Sequence, residues 1–171
     1  MTKNLFLYIN ANKDLTICHK CEDIYCIGDK LVAVDKNKYD RKNRFALQKQ
    51  FDVYPYFISQ YVFKDILRSL AYGKINIFVV NIDFTDDSII ETQEYNDLQL
   101  DIKKMDKKNL YNDVLNIINE FDTEIKNIKF IYNGKVIELT NKGILNFQSK
   151  DEMLHDFTSS EDVVKLLLGK I

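Results

Sequence analysis

Ile58, Val62, Ile66 and Leu70 recur at four-residue intervals, Gly73 follows, and residues 75–82 then run Ile-Asn-Ile-Phe-Val-Val-Asn-Ile. A helical stripe that stops at a glycine and passes directly into an extended apolar run calls for a helix packed on a sheet. Tyr61, Phe63 and Leu67 widen the stripe, and Pro55 suits a first helical turn, so the helix is expected over 55–72. The run at 75–82 has the composition of an interior strand.

The rest of the chain supplies partners of both kinds. Residues 5–9 read as a buried strand, with 10–14 as a turn and 15–18 as its returning neighbour. Residues 24–27 and 31–34 flank Gly28-Asp29-Lys30 as a second hairpin, and 128–132 and 136–139 flank Asn133-Gly134 as a third. Leu110, Val114, Ile117, Ile118 and Phe121 form one face of a second helix, which Asp106 can cap. A short helix is expected after Ser149, and a last one from Ser160 to Leu168 before Gly169. The expected class is α+β, a single domain over 1–171 with a mainly antiparallel sheet packed against two principal helices, 55–72 and 107–121, and a short C-terminal helix.

With one proline and five glycines in 171 residues, and 46% hydrophobic against 29% charged residues, the chain has the means to bury a core without a disordered linker. The apolar run at 5–9 is too short for a signal-peptide core, and no stretch reaches the length of a bilayer span. A cytoplasmic location is therefore expected, with Cys18, Cys21 and Cys26 as thiols and no membrane partner.

Cys18-His19-Lys20-Cys21, followed by Cys26, holds every cysteine and one of the two histidines. A two-residue gap between Cys18 and Cys21 lets a turn aim both sulfurs at one zinc ion, with Cys26 as third ligand and His19 or His155 as fourth. Against zinc stand the missing second close pair and the position of Cys26 in an apolar strand, where a free cysteine packs as a small hydrophobe. Incidental thiols are the expectation, and no cofactor is implied.

From Asp83 to Asp101 there are seven carboxylates and no lysine or arginine. Asp83, Asp86 and Asp87, just past an apolar strand, have the chemistry of magnesium ligands in a phosphoryl-transfer enzyme or nuclease. No general base or phosphate-gripping motif accompanies them, and the balance is against an enzyme. Glu91, Glu94, Tyr95, Asp97, Leu98 and Asp101 instead interleave negative charge with apolar contacts, as an edge that binds another protein would. The leading expectation is a small intracellular inhibitory or regulatory protein acting by stoichiometric contact. Its partner would have a basic or nucleic-acid-binding surface.

A basic counterpart lies at Lys36, Lys38, Tyr39, Arg41, Lys42 and Arg44, continued by Phe45 and Lys49. Cations that hold phosphates beside rings that stack on bases give a nucleic-acid-binding alternative. The net charge of −2 and the restriction of arginine to Arg41, Arg44 and Arg68 limit that reading to a local patch.

Overall fold

The computed structural model describes residues 2–13, 16–20, 24–148 and 161–168. Among these residues, eight strands form one antiparallel sheet. They are β1 (Thr2–Asn10), β2 (Ile24–Ile27), β3 (Leu31–Asp35), β4 (Val53–Pro55), β5 (Phe78–Phe84), β6 (Ile125–Tyr132), β7 (Lys135–Thr140) and β8 (Ile144–Gln148). The order across the sheet is β2-β3-β1-β8-β7-β6-β5, and β4 also pairs with β1. The first half of β1 pairs with β8, Thr2 opposite Gln148 through Phe6 opposite Ile144. Its last residues pair with β4, Tyr8 opposite Pro55 and Asn10 opposite Val53.

Helices α1 (Thr16–Lys20), α2 (Arg41–Phe51), α3 (Gln60–Ala71), α4 (Gln93–Lys104), α5 (Lys107–Phe121) and α6 (Glu161–Leu168) are divided between the two faces. Side-chain alternation along β1 and β3 makes the division. Leu5, Leu7, Leu31 and Ala33 join the larger core with α3, α4, α5 and α6. Tyr8, Val32 and Val34 join a smaller core with Ile17 of α1 and Leu47 and Phe51 of α2. In α3, Val62, Phe63, Ile66, Leu67 and Leu70 are all buried, each worth about 1.5–3 kcal/mol of transfer free energy.

The α+β class, the antiparallel sheet, α5 and the Asn133-Gly134 hairpin match expectation. Four local expectations are corrected. Of residues 15–18, expected as a strand, 16–18 belong instead to helix α1, from whose single turn Ile17 buries into the smaller core. Pro55 does not open α3. It pairs in β4, and Ser59 caps the helix by accepting a hydrogen bond from the Val62 amide. The polar, basic segment, which by composition reads as a solvated loop, is helical from Arg41 to Phe51: Asp40 caps α2 through a 2.7 Å bond from the Asn43 amide, and Leu47 and Phe51 anchor it. The strand after Gly73 begins at Phe78 and lies at the edge of the sheet rather than inside it. The expected helix after Ser149 lies outside the described residues. Among the described residues no helix is long and apolar enough to cross a membrane.

Candidate nucleic-acid interface

Leu7 is where three segments meet. Its carbonyl accepts from the Tyr56 amide at 2.9 Å, and its own amide donates to the Gly143 carbonyl at 2.8 Å. The β7–β8 turn also accepts the Ile58 amide at the Asn141 carbonyl, 3.1 Å away. Gly143 has φ +69°, and a β-carbon there would stand 1.8 Å from the Tyr56 carbonyl oxygen, so only glycine permits this approach. These bonds fix Lys142 and Phe57 beside the middle of β1.

Helix α2 supplies the remaining wall. With Leu47 and Phe51 turned into the smaller core, Arg44 and Gln48 fall one helical turn apart on the flank. The result is a cleft of about 680 Å³ lined by Phe6, Leu7 and Tyr8, by Lys42, Arg44, Phe45 and Gln48, and by Pro55, Phe57 and Lys142. Among the described residues that line it there are three cations, four aromatic rings and no carboxylate. Phe45 and Phe57 are 56% and 66% exposed, which is unusual for phenylalanine and leaves ring faces available to a ligand.

Of the lining cations Arg44 is seated on an aromatic ring, as are two lysines beside the cleft. The Arg44 guanidinium carbon lies 4.0 Å from the Phe6 ring centroid, Lys36 Nζ lies 5.8 Å from the same ring, and Lys49 Nζ lies 4.8 Å from the Phe45 ring. Burial pushes the Tyr8 phenol above its ordinary range, an effect that nearby Arg44 and a hydrogen bond from Gln48 only partly offset. Tyr8 is therefore a neutral hydrogen-bonding group at neutral pH. Cations, rings, an amide and a phenol are the chemistry of binding an anion that carries flat groups.

Of the basic residues singled out in the sequence, Lys42 and Arg44 line the cleft and Lys36 reaches the Phe6 ring. Arg41 opens α2, Lys38 lies in the preceding turn, and Tyr39 packs against the smaller core instead of facing the cleft. Phe6, Tyr8, Gln48, Phe57 and Lys142 were not foreseen. Their chain separation hides them, although exposed Phe57 before a capped helix is an available signal.

Asp83, Asp86 and Asp87 line one small cavity of about 230 Å³ together with Tyr95 and Lys126, while Glu94, Asp97 and Asp101 lie along α4 and Glu91 just before it. Asp83 accepts from the Asn81 side chain at 2.7 Å. Asp86 accepts from the Ser88 amide and hydroxyl, bonds that hold its carboxyl below the usual range. Asp87 is exposed, 3.4 Å from Lys126. Among the described residues no group of three or more histidine, cysteine, aspartate or glutamate side chains is placed to hold a metal ion. Tyr95 packs edge-to-face on Phe84 and Leu98 is fully buried, so Leu98 is a core residue, while Glu91 and Asp97 are exposed and Glu94 and Asp101 are partly so.

The cysteine expectation is corrected as well. Cys18 and Cys26 form a disulfide between α1 and β2, with α-carbons 6.0 Å apart, which removes both sulfurs from the thiol pool and from any zinc set. Cys21 and His155 lie outside the described residues. Comparison with protein-family models, curated proteins and solved structures finds no match to this chain.

Proposed function

We propose that this protein binds single-stranded nucleic acid without chemically altering it, using the cleft between α2, β1 and the β7–β8 turn. The observation that carries the reading is the composition of that wall: Lys42, Arg44 and Lys142 interleaved with Phe6, Phe45 and Phe57, and no carboxylate among its described lining residues. Cations draw in the phosphate backbone, and rings stack on bases, each stacked base contributing about 1–3 kcal/mol. A duplex keeps its base faces inside the stack, so exposed rings favour an unpaired strand. The chain's net charge of −2 restricts the attraction to this patch.

The test is fluorescence anisotropy of a labelled single-stranded oligonucleotide across a salt series, with the matching duplex as competitor. Binding should favour the single strand and weaken with salt, with a slope of about −2 for three neutralised phosphates. Changing Lys42 or Lys142 to Gln should flatten that slope. Phe45→Ala and Phe57→Ala should weaken binding by about fivefold or more and leave the slope unchanged. Absence of binding at low salt, or indifference to all four changes, would sink the proposal.

A further inference from the structure

The edge of the sheet at β5 presents a different surface. β5 pairs with β6 on one side, and among the described residues no strand pairs with its other side. Helix α4 reaches the strand at Asn81, where Gln99 Nε2 lies 3.4 Å from the Asn81 side-chain oxygen, leaving residues 78–80 ahead of that contact. Val80 has no partner in the β5–β6 register, which shifts between Val79 and Asn81. An edge strand is ordinarily protected by charge, yet this one exposes Phe78 and Val80.

Alongside lies an apolar groove of about 160 Å³. Phe78, Val79 and Val80 line one part, and Ile102, Met105 and Leu110 line another. Met105 is itself exposed at the end of α4. The charged lining residues are Asp101 and Lys107, and Lys107 is seated 5.8 Å from the centroid of the Phe78 ring. Asp113 of α5 lies close enough to Asp101, Asp97 and Asp106 for each of the three carboxyl groups to act on it, Asp101 most strongly and through a hydrogen bond. The groove therefore has an apolar floor and a crowded negative flank.

We infer that the β5 edge and this groove form a second docking surface, for a lysine- or arginine-rich segment of a protein partner laid extended along residues 78–80. An extended chain can use the free backbone groups of a strand edge, and alternate side chains can enter the groove while the others face Asp97 and Asp101. Charge complementarity selects a basic segment over an acidic one. This surface is independent of the nucleic-acid reading, because none of its residues lines the cleft.

The test uses the full chain and a short peptide of alternating lysine and valine, with an alternating glutamate–valine peptide as control, measured by isothermal titration across a salt series. The lysine peptide should bind, the glutamate peptide should not, and rising salt should weaken the interaction. D97N together with D101N should reduce affinity by about tenfold, and Val80→Lys in a variant with unchanged circular dichroism should abolish it. Arg44→Ala should have no effect. Equal binding of both peptides, no binding, or persistence in the double variant would overturn the inference. So would a concentration-dependent dimer of the chain alone that Val80→Lys dissociates, since the occupant would then be a second copy.

Discussion

The Arg44 guanidinium carbon lies 4.0 Å from the centroid of the Phe6 ring, a contact that joins α2 to the middle of the sheet at the mouth of the cleft. It holds the arginine in place before any ligand arrives, which reduces the side-chain entropy lost on binding. Phe6→Leu keeps an apolar side chain and removes the π face. Affinity for single-stranded nucleic acid should then fall by about three- to tenfold, while Arg44 still contributes its charge to the salt slope. Anisotropy titrations of Phe6→Leu, R44A and the double variant test this. Equal losses in the single and double variants support a shared contact; simple addition of the two losses argues against one.

Gly143 and Gly134 both sit at positive φ, but only Gly143 lacks room for a β-carbon. Gly134→Ala should cost about 1 kcal/mol, the conformational penalty alone. Gly143→Ala adds a collision with the Tyr56 backbone and should cost more than about 2 kcal/mol, with loss of oligonucleotide binding because Lys142 and Phe57 are displaced together. Urea denaturation of the two variants side by side decides it. Similar midpoints would mean that the β7–β8 turn can move away from Tyr56 freely.

Cys18 and Cys26 close a short loop over the smaller core that seats α2. A loop of this length gives about 2–3 kcal/mol of stabilisation in the chain-entropy model. Reduction should lower the urea midpoint accordingly, and Cys18→Ser should do the same while making the protein insensitive to reductant. Alkylation followed by mass measurement should count one reactive cysteine before reduction and three after. Three before reduction would contradict the disulfide.

How far these features could be read in advance depends on how local they are. Helix α5 is legible because its cap, Asp106, and its apolar face all lie within one short segment. The β6–β7 hairpin is legible for the same reason, through Asn133-Gly134. Helix α2 is not, since only Leu47 and Phe51 mark its buried side while Phe45 is exposed and most of the remaining segment is polar. Lys42 and Arg44 stand out as charges, but the cleft also needs Phe6, Phe57 and Lys142. Only the change of β1 partners from β8 to β4 brings those three together. The cysteine pairing is hidden in the same way, because it depends on residues 16–20 being helical.

Asp113 offers a pH signature for the α4–α5 flank. Burial, then a hydrogen bond and charge repulsion from Asp101, then Asp97 and Asp106, raise its carboxyl from the ordinary 3.8 to about 6. Between those two values the folded chain holds more proton than the unfolded chain, so the contribution of this group to stability falls as pH rises through that window. Below about pH 4 the penalty is absent, and above about pH 6 it is fully present. Asp113→Asn should remove this segment of the pH profile and stabilise the protein at neutral pH by about 1 kcal/mol, a modest figure because the group is partly exposed and solvent screens it. Asp86, whose carboxyl is held low by Ser88, acts in the opposite sense and should be unaffected by the substitution. Urea midpoints of both chains from about pH 4 to pH 7 provide the measurement. Parallel curves would show that the other three carboxylates do not act on Asp113, and would remove the electrostatic reason for a basic partner to settle there.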